Sequence, residues 1–116
     1  MSDKLDTMFE MRLSFMKDLN KLVSDTYANI PLDLSKKSDQ RFCRDIALRG
    51  VEEMFEALQH LKNWKPHRQT EVEEFDRDEF LEEIVDAFNY FFSLLILTGV
   101  DSSELFKAYE KKDKII

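Results

Sequence analysis

Residues 80–97 read FLEEIVDAFNYFFSLLIL, and this stretch decides the fold. Eighteen residues pass without a glycine or proline, which is too long for an ordinary strand and suits a helix. DRDE (Asp76 to Glu79) stands just before it in the form of a capping box. Gly99 follows as a left-handed stop. The spacing therefore predicts a helix from near Asp76 to Gly99. Its latter half is apolar nearly all round, with Phe88, Tyr90, Phe91, Phe92, Leu94, Leu95, Ile96 and Leu97. A helix of that kind is expected to be buried on every side. Four helices of one small chain can hardly enclose it, so association into an oligomer is expected.

Working outward, three more helices are predicted. Leu5 to Ala28 carries Leu5, Met8, Phe9, Leu13, Phe15, Met16, Leu19, Leu22 and Val23 at helical spacing. Asn29-Ile30-Pro31 ends it, because proline disfavours helix in the residue before it. After a polar linker (31–38), Asp39 to Asn63 presents an apolar stripe from Phe42 to Leu61, and Pro66 opens a charged loop (66–75). DSSE (Asp101 to Glu104) repeats the capping pattern and starts a short fourth helix through Leu105, Phe106 and Tyr109. The expectation is a single all-α domain over residues 1–116, a four- to five-helix bundle.

Composition agrees and excludes several functions. The 116 residues include only two Gly and two Pro, little turn chemistry for many strands. The net charge of −7, with no long basic block, provides no footprint for a nucleic-acid backbone. The most apolar run, Phe91 to Val100, is about half a membrane span. MSDKLDTMFE lacks the apolar centre of a signal peptide, and the lone Cys43 cannot form an internal disulfide. A soluble, cytoplasmic protein with no nucleic-acid or membrane partner is the expectation.

The chemistry gathers in acids. Glu53 and Glu56 are three apart, as are Glu83 and Asp86, so each pair projects from one side of its helix. Facing each other, the pairs would form a four-carboxylate cage suited to Mg²⁺, or Mn²⁺ in its place. A solvated face is the plain alternative. Against it, Glu52–Glu56, Glu79–Glu83 and Glu82–Asp86 are like-charge pairs four apart, each costing roughly 0.2–0.5 kcal/mol. Such repulsion on two helices calls for cations. A di-iron bundle would need Glu-x-x-His on two helices, and neither motif supplies the histidine.

EEMFE (52–56) followed by EEIVD (82–86), with 26 residues between Glu56 and Glu83, resembles the ExxE…ExxD signature of the all-α nucleoside triphosphate pyrophosphatases. That superfamily includes MazG proteins and dimeric dUTPases. LKNWK (61–65) looks like the Lys/Trp-rich element of the dUTPase branch, and VDAFNYFFSLLILTGV is similar to its D-x-x-H-F helix, with Asn89 at the histidine position. The resemblance spans about residues 40–112. It implies Mg²⁺ held by Glu53, Glu56, Glu83 and Asp86, with Glu52 a further ligand or the base that activates water. It also implies hydrolysis between the α- and β-phosphates of a pyrimidine deoxynucleotide, dUTP or dCTP, by a homodimer or homotetramer. Trp64 would form one wall of a base or sugar pocket, unless it is simply packed at a helix end, and Asn89 would meet a pyrimidine edge; Lys62, Lys65 and Arg68 would meet the phosphates, with Lys112 at the start of a C-terminal phosphate motif. Two departures are visible. Arg12 stands nearest the place of a base-reading glutamine, and the C-terminal K-x-x-x-N-x-x-R motif would begin near Lys112 with its arginine beyond Ile116. The alternatives are a MazG-like clearing enzyme of other or broad base range, and a non-catalytic helical dimer acting as a binding module.

Overall fold

The computed structural model describes residues 3–23, 26–27, 29–69, 71–72 and 74–115. Among these it is all-helical, without strands: α1 (Lys4–Leu22), α2 (Lys37–Leu58), α3 (Arg77–Leu97) and α4 (Ser102–Ile115). Helices α2 and α3 pack along their lengths. Gly50 meets Phe91, Glu53 and Glu56 meet Glu83, and His60 meets Phe80, so the two helices run antiparallel. Helix α1 crosses α3, bringing Phe9 onto Phe92 (ring centroids 5.2 Å apart) and Arg12 onto Ser93. Among the described residues, helix α4 packs on α1 alone.

The helix starts follow the local chemistry. The Asp76 side chain accepts from the Glu79 N–H at 3.1 Å, and Asp101 accepts from the Glu104 N–H at 2.8 Å. Asp3 and Asp6 form a reciprocal capping box at α1. Asp6 also accepts from the Ser102 hydroxyl, tying the starts of α1 and α4 together. That bond, first among several, holds the Asp6 carboxyl below its ordinary value. Gly99, at φ +81, adopts the left-handed conformation that ends α3.

Two helices are shorter than their periodicity predicts. The first ends at Leu22; of the expected extension to Ala28, Ser24, Asp25 and Ala28 lie outside the described residues. The Asn20 amide replaces helical pairing there: its oxygen accepts from the Tyr27 N–H and its nitrogen donates to the Tyr27 carbonyl, both at 2.6 Å. This fold-back buries Tyr27 edge-on against Phe42. The second stops at Leu58 rather than Asn63. Its last turn tightens to three-residue bonds (Gln59 to Glu56, His60 to Ala57, Leu61 to Leu58), and Asn63 turns left-handed at φ 61.

The core centres on Met16, Tyr27, Ile46 and Leu97. Gly50 lets α2 and α3 approach closely: a Cβ there would lie 2.8 Å from Phe91 Cε1. One copy does not bury α3 all round. Ser93 and Leu97 are fully buried, but Phe91, Phe92 and Leu94–Ile96 are half-buried and Phe88 is 48% exposed. One copy places α2 and α1 against only part of the α3 circumference. The radius of gyration, 17.5 Å, exceeds the roughly 13 Å of a compact chain of this length. No single helix among the described residues is long and apolar enough to cross a membrane; α3 and α4 reach that length and composition only as a pair bent by 103°.

Candidate functional site

The antiparallel α2–α3 pairing brings the acids together. Glu53, Glu56 and Glu83 each place a carboxylate oxygen within 4.8 Å of the others. Residues three apart on α2 lie one above the other, and Glu83 comes across from α3 between them. Asp86 does not join this set. Its spacing from Glu83 is the same as that of Glu56 from Glu53, but its side chain is one methylene shorter. It lines the adjoining groove beside Glu53. The four-carboxylate cage is therefore three converging acids with a fourth alongside. Glu52 is exposed on α2, outside the converging set.

The electrostatics reflect this crowding. Partial burial first, then the charges of Glu56, Asp86 and Glu83, raise the Glu53 carboxyl above its ordinary value. Glu83 is raised for the same reasons, with His60 opposing. The one ion pair among the described residues is Lys21–Asp18 on the surface, at 3.8 Å, so no lysine or arginine is paired with the cluster. The donor set fits Mg²⁺ or Mn²⁺. Oxygens bound to one Mg²⁺ lie about 2.9 Å apart when adjacent and about 4.2 Å when opposite, given metal–oxygen distances of about 2.0–2.1 Å. The three carboxylate oxygens lie within 4.8 Å of one another, a limit somewhat wider than that range.

Beside the cluster lies a groove of about 820 Å³ between α1, α2 and α3. Glu53 and Asp86 meet it at one side, with Asn89, Tyr90 and Phe88 from α3 and Arg12 and Phe15 from α1. This size suits a nucleotide-sized ligand. Arg12 is half-buried. Its Nε–H donates to Ser93 Oγ at 2.6 Å, and its guanidinium carbon lies 4.6 Å from the Phe15 ring centre and 5.9 Å from that of Tyr90. Burial lowers its proton affinity, opposed by nearby Tyr27 and Tyr90, and the group remains a cation.

The expected substrate residues divide. Asn89 lines the large groove, whereas Trp64 and Lys62 line a separate groove of about 420 Å³ with His60, Phe75 and Glu79. Trp64 is 72% exposed, with Lys65 Nζ 5.8 Å from its ring centre. Trp64 and Asn89 thus lie in different grooves, the chain having left the helix at Leu58. Lys112 lies exposed on α4, which packs on α1 alone, so one copy does not bring it to the cluster. Arg49 also lines the large groove, one turn before Glu53. Its four-residue spacing from Glu53 was a readable signal; the anchoring of Arg12 by Ser93, 81 positions away, left none.

No protein-family model matches the chain, and neither the curated proteins nor the solved structures include a significant match to it.

Proposed function

We propose that the chain is a Mg²⁺-dependent nucleoside triphosphate pyrophosphohydrolase of the all-α type, cleaving dUTP or dCTP between the α- and β-phosphates to the monophosphate and pyrophosphate. One observation carries this: three carboxylates from two helices converge within 4.8 Å with no paired side-chain cation among the described residues. Glu53, Glu56 and Glu83 would hold the ion, with Asp86 at the groove edge. Bound there, Mg²⁺ supplies charge neutralisation for phosphates and a lowered pKa for a coordinated water.

The protein's own groups account for the rest. Glu53 meets the groove as a ligand of the ion, and Glu52, exposed next to it in sequence, would be a further ligand or the base that activates water. The aromatic walls of Phe15, Phe88 and Tyr90 take a base, and the Asn89 amide both donates and accepts at its edge. Arg49, on the Glu53 side of α2, is placed for phosphate oxygens. Exposed Leu48, Val51 and Phe55 on α2 and Leu81 on α3, outside the groove, together with the extended dimensions of one copy, support a homodimer or homotetramer.

The test is pyrophosphate release from canonical and deoxyuridine triphosphates with Mg²⁺. Release is expected from the wild type and lost in Glu53→Gln and Asp86→Asn. Full activity in both variants sinks the site assignment, and release from no triphosphate sinks the function.

A further inference from the structure

The half-buried guanidinium of Arg12 has no carboxylate within ion-pairing distance among the described residues, although Glu53 and Asp86 line the same groove. Its Nε–H is committed to Ser93, the one fully buried polar side chain among the described residues. Ser93 sits inside α3, so this bond fixes the guanidinium to the scaffold. Phe15 and Tyr90 lie close to the same guanidinium. What remains is the end-on fork of the two Nη groups, which makes no hydrogen bond of good geometry among the described residues, although the Tyr27 hydroxyl lies nearby.

A fixed fork of this kind matches two adjacent acceptor atoms in one plane. On the reading of the groove as a nucleotide site, we infer that Arg12 selects a base edge carrying two neighbouring acceptors: O6 and N7 of guanine, or O2 and N3 of cytosine. Adenine sets a donor beside N7. Uracil and thymine place the N3–H donor between their two carbonyls. These bases leave one Nη group facing a donor or nothing, which is unfavourable in a half-buried place. The phosphates are provided for at the carboxylate side of the groove, and the aromatic rings beside Arg12 suit a flat ring better than a tetrahedral phosphate. Between dUTP and dCTP, Arg12 therefore favours dCTP, and it admits dGTP.

The experiment titrates the protein with dCMP, dGMP, dAMP, dUMP and base-free deoxyribose 5-phosphate, following amide chemical shifts by NMR. Wild type is expected to bind dCMP and dGMP roughly tenfold or more tighter than dAMP and dUMP, the worth of one bidentate pair. Arg12→Lys keeps the charge and loses the fork, so the preference collapses while Mg²⁺ still raises the melting temperature. Equal binding of all four nucleotides overturns the inference, as does no binding of any. A preference that survives Arg12→Lys overturns it too. Equal weakening of every ligand, the base-free phosphate included, makes Arg12 a phosphate anchor and refutes base selection. Pyrophosphate release is read separately: triphosphate hydrolysis without base preference sinks only the role of Arg12, and base-selective binding without hydrolysis sinks only the enzymatic reading.

Discussion

Replacing Gly50 by alanine tests the contact that sets the spacing of α2 and α3. The new Cβ would lie 2.8, 3.1 and 3.2 Å from Phe91 Cε1, Cζ and Cδ1. Carbon atoms settle about 3.6 Å apart, so helix and ring must separate by about 0.8 Å. Overpacking of this kind costs about 1–3 kcal/mol, and alanine recovers up to about 1 kcal/mol through helix propensity. The net loss is about 1 kcal/mol, which lowers the melting temperature by about 4 °C for a chain of this size. Gly50 lies one turn before Glu53, so the same separation pulls Glu53 and Glu56 away from Glu83. Gly50→Ala should therefore melt lower by circular dichroism and gain less than wild type from Mg²⁺. Phe91→Leu in the same chain should relieve the clash, giving a non-additivity of at least about 0.5 kcal/mol. A Gly50→Ala protein at least as stable as wild type, with an undiminished Mg²⁺ response, would refute the close approach and its hold on the cluster.

Because Glu53 and Glu83 carry raised pKa values in the folded chain, their contribution to stability is fully present below their ordinary value of 4.5 and is lost as pH rises through the raised value. In that window, denaturant unfolding without metal should show their contribution growing on acidification, and Glu53→Gln should flatten it. Protons compete with the ion for the same oxygens, so stabilisation by Mg²⁺ should shrink over the same fall in pH. Asp6 behaves oppositely: its lowered pKa gives stability above its ordinary value that disappears as pH falls through the folded value. Ser102→Ala should thus destabilise at neutral pH and make little difference in strong acid, as read by denaturant midpoints. Trp64, the single tryptophan, is 72% exposed and lies outside the large groove, so its fluorescence should be red-shifted and nearly unchanged when dCMP binds. A large blue shift would put the base in the smaller groove instead.

What the sequence made legible was chemistry that acts within a few residues. Asp76 and Asp101 cap because a short carboxylate can reach an N–H three positions on, and Gly99 ends α3 because it lacks a Cβ. The spacing of Glu53 and Glu56 puts two acids on one face before any partner helix is known. Their meeting with Glu83 depends on antiparallel pairing, which the long loop between the two motifs permits. Asp86 shows the limit of such patterns. Both motifs repeat an acid after three residues with the same offset of about 60°, yet Asp86, one methylene shorter than a glutamate, lines the groove instead of joining the other three. Helix ends are not legible where a side chain competes with the backbone, as Asn20 does in capturing Tyr27. The position of Trp64 depends on the end of α2, where the chain leaves the helix at Leu58 and Asn63 turns left-handed. Least legible was the Arg12–Ser93 bond, since a serine within an apolar helix reads as a neutral spacer until α1 crosses it. Once α1 crosses there, the same serine is what holds a cation inside the groove, so the α1–α3 crossing positions Arg12 as the α2–α3 pairing positions the acids.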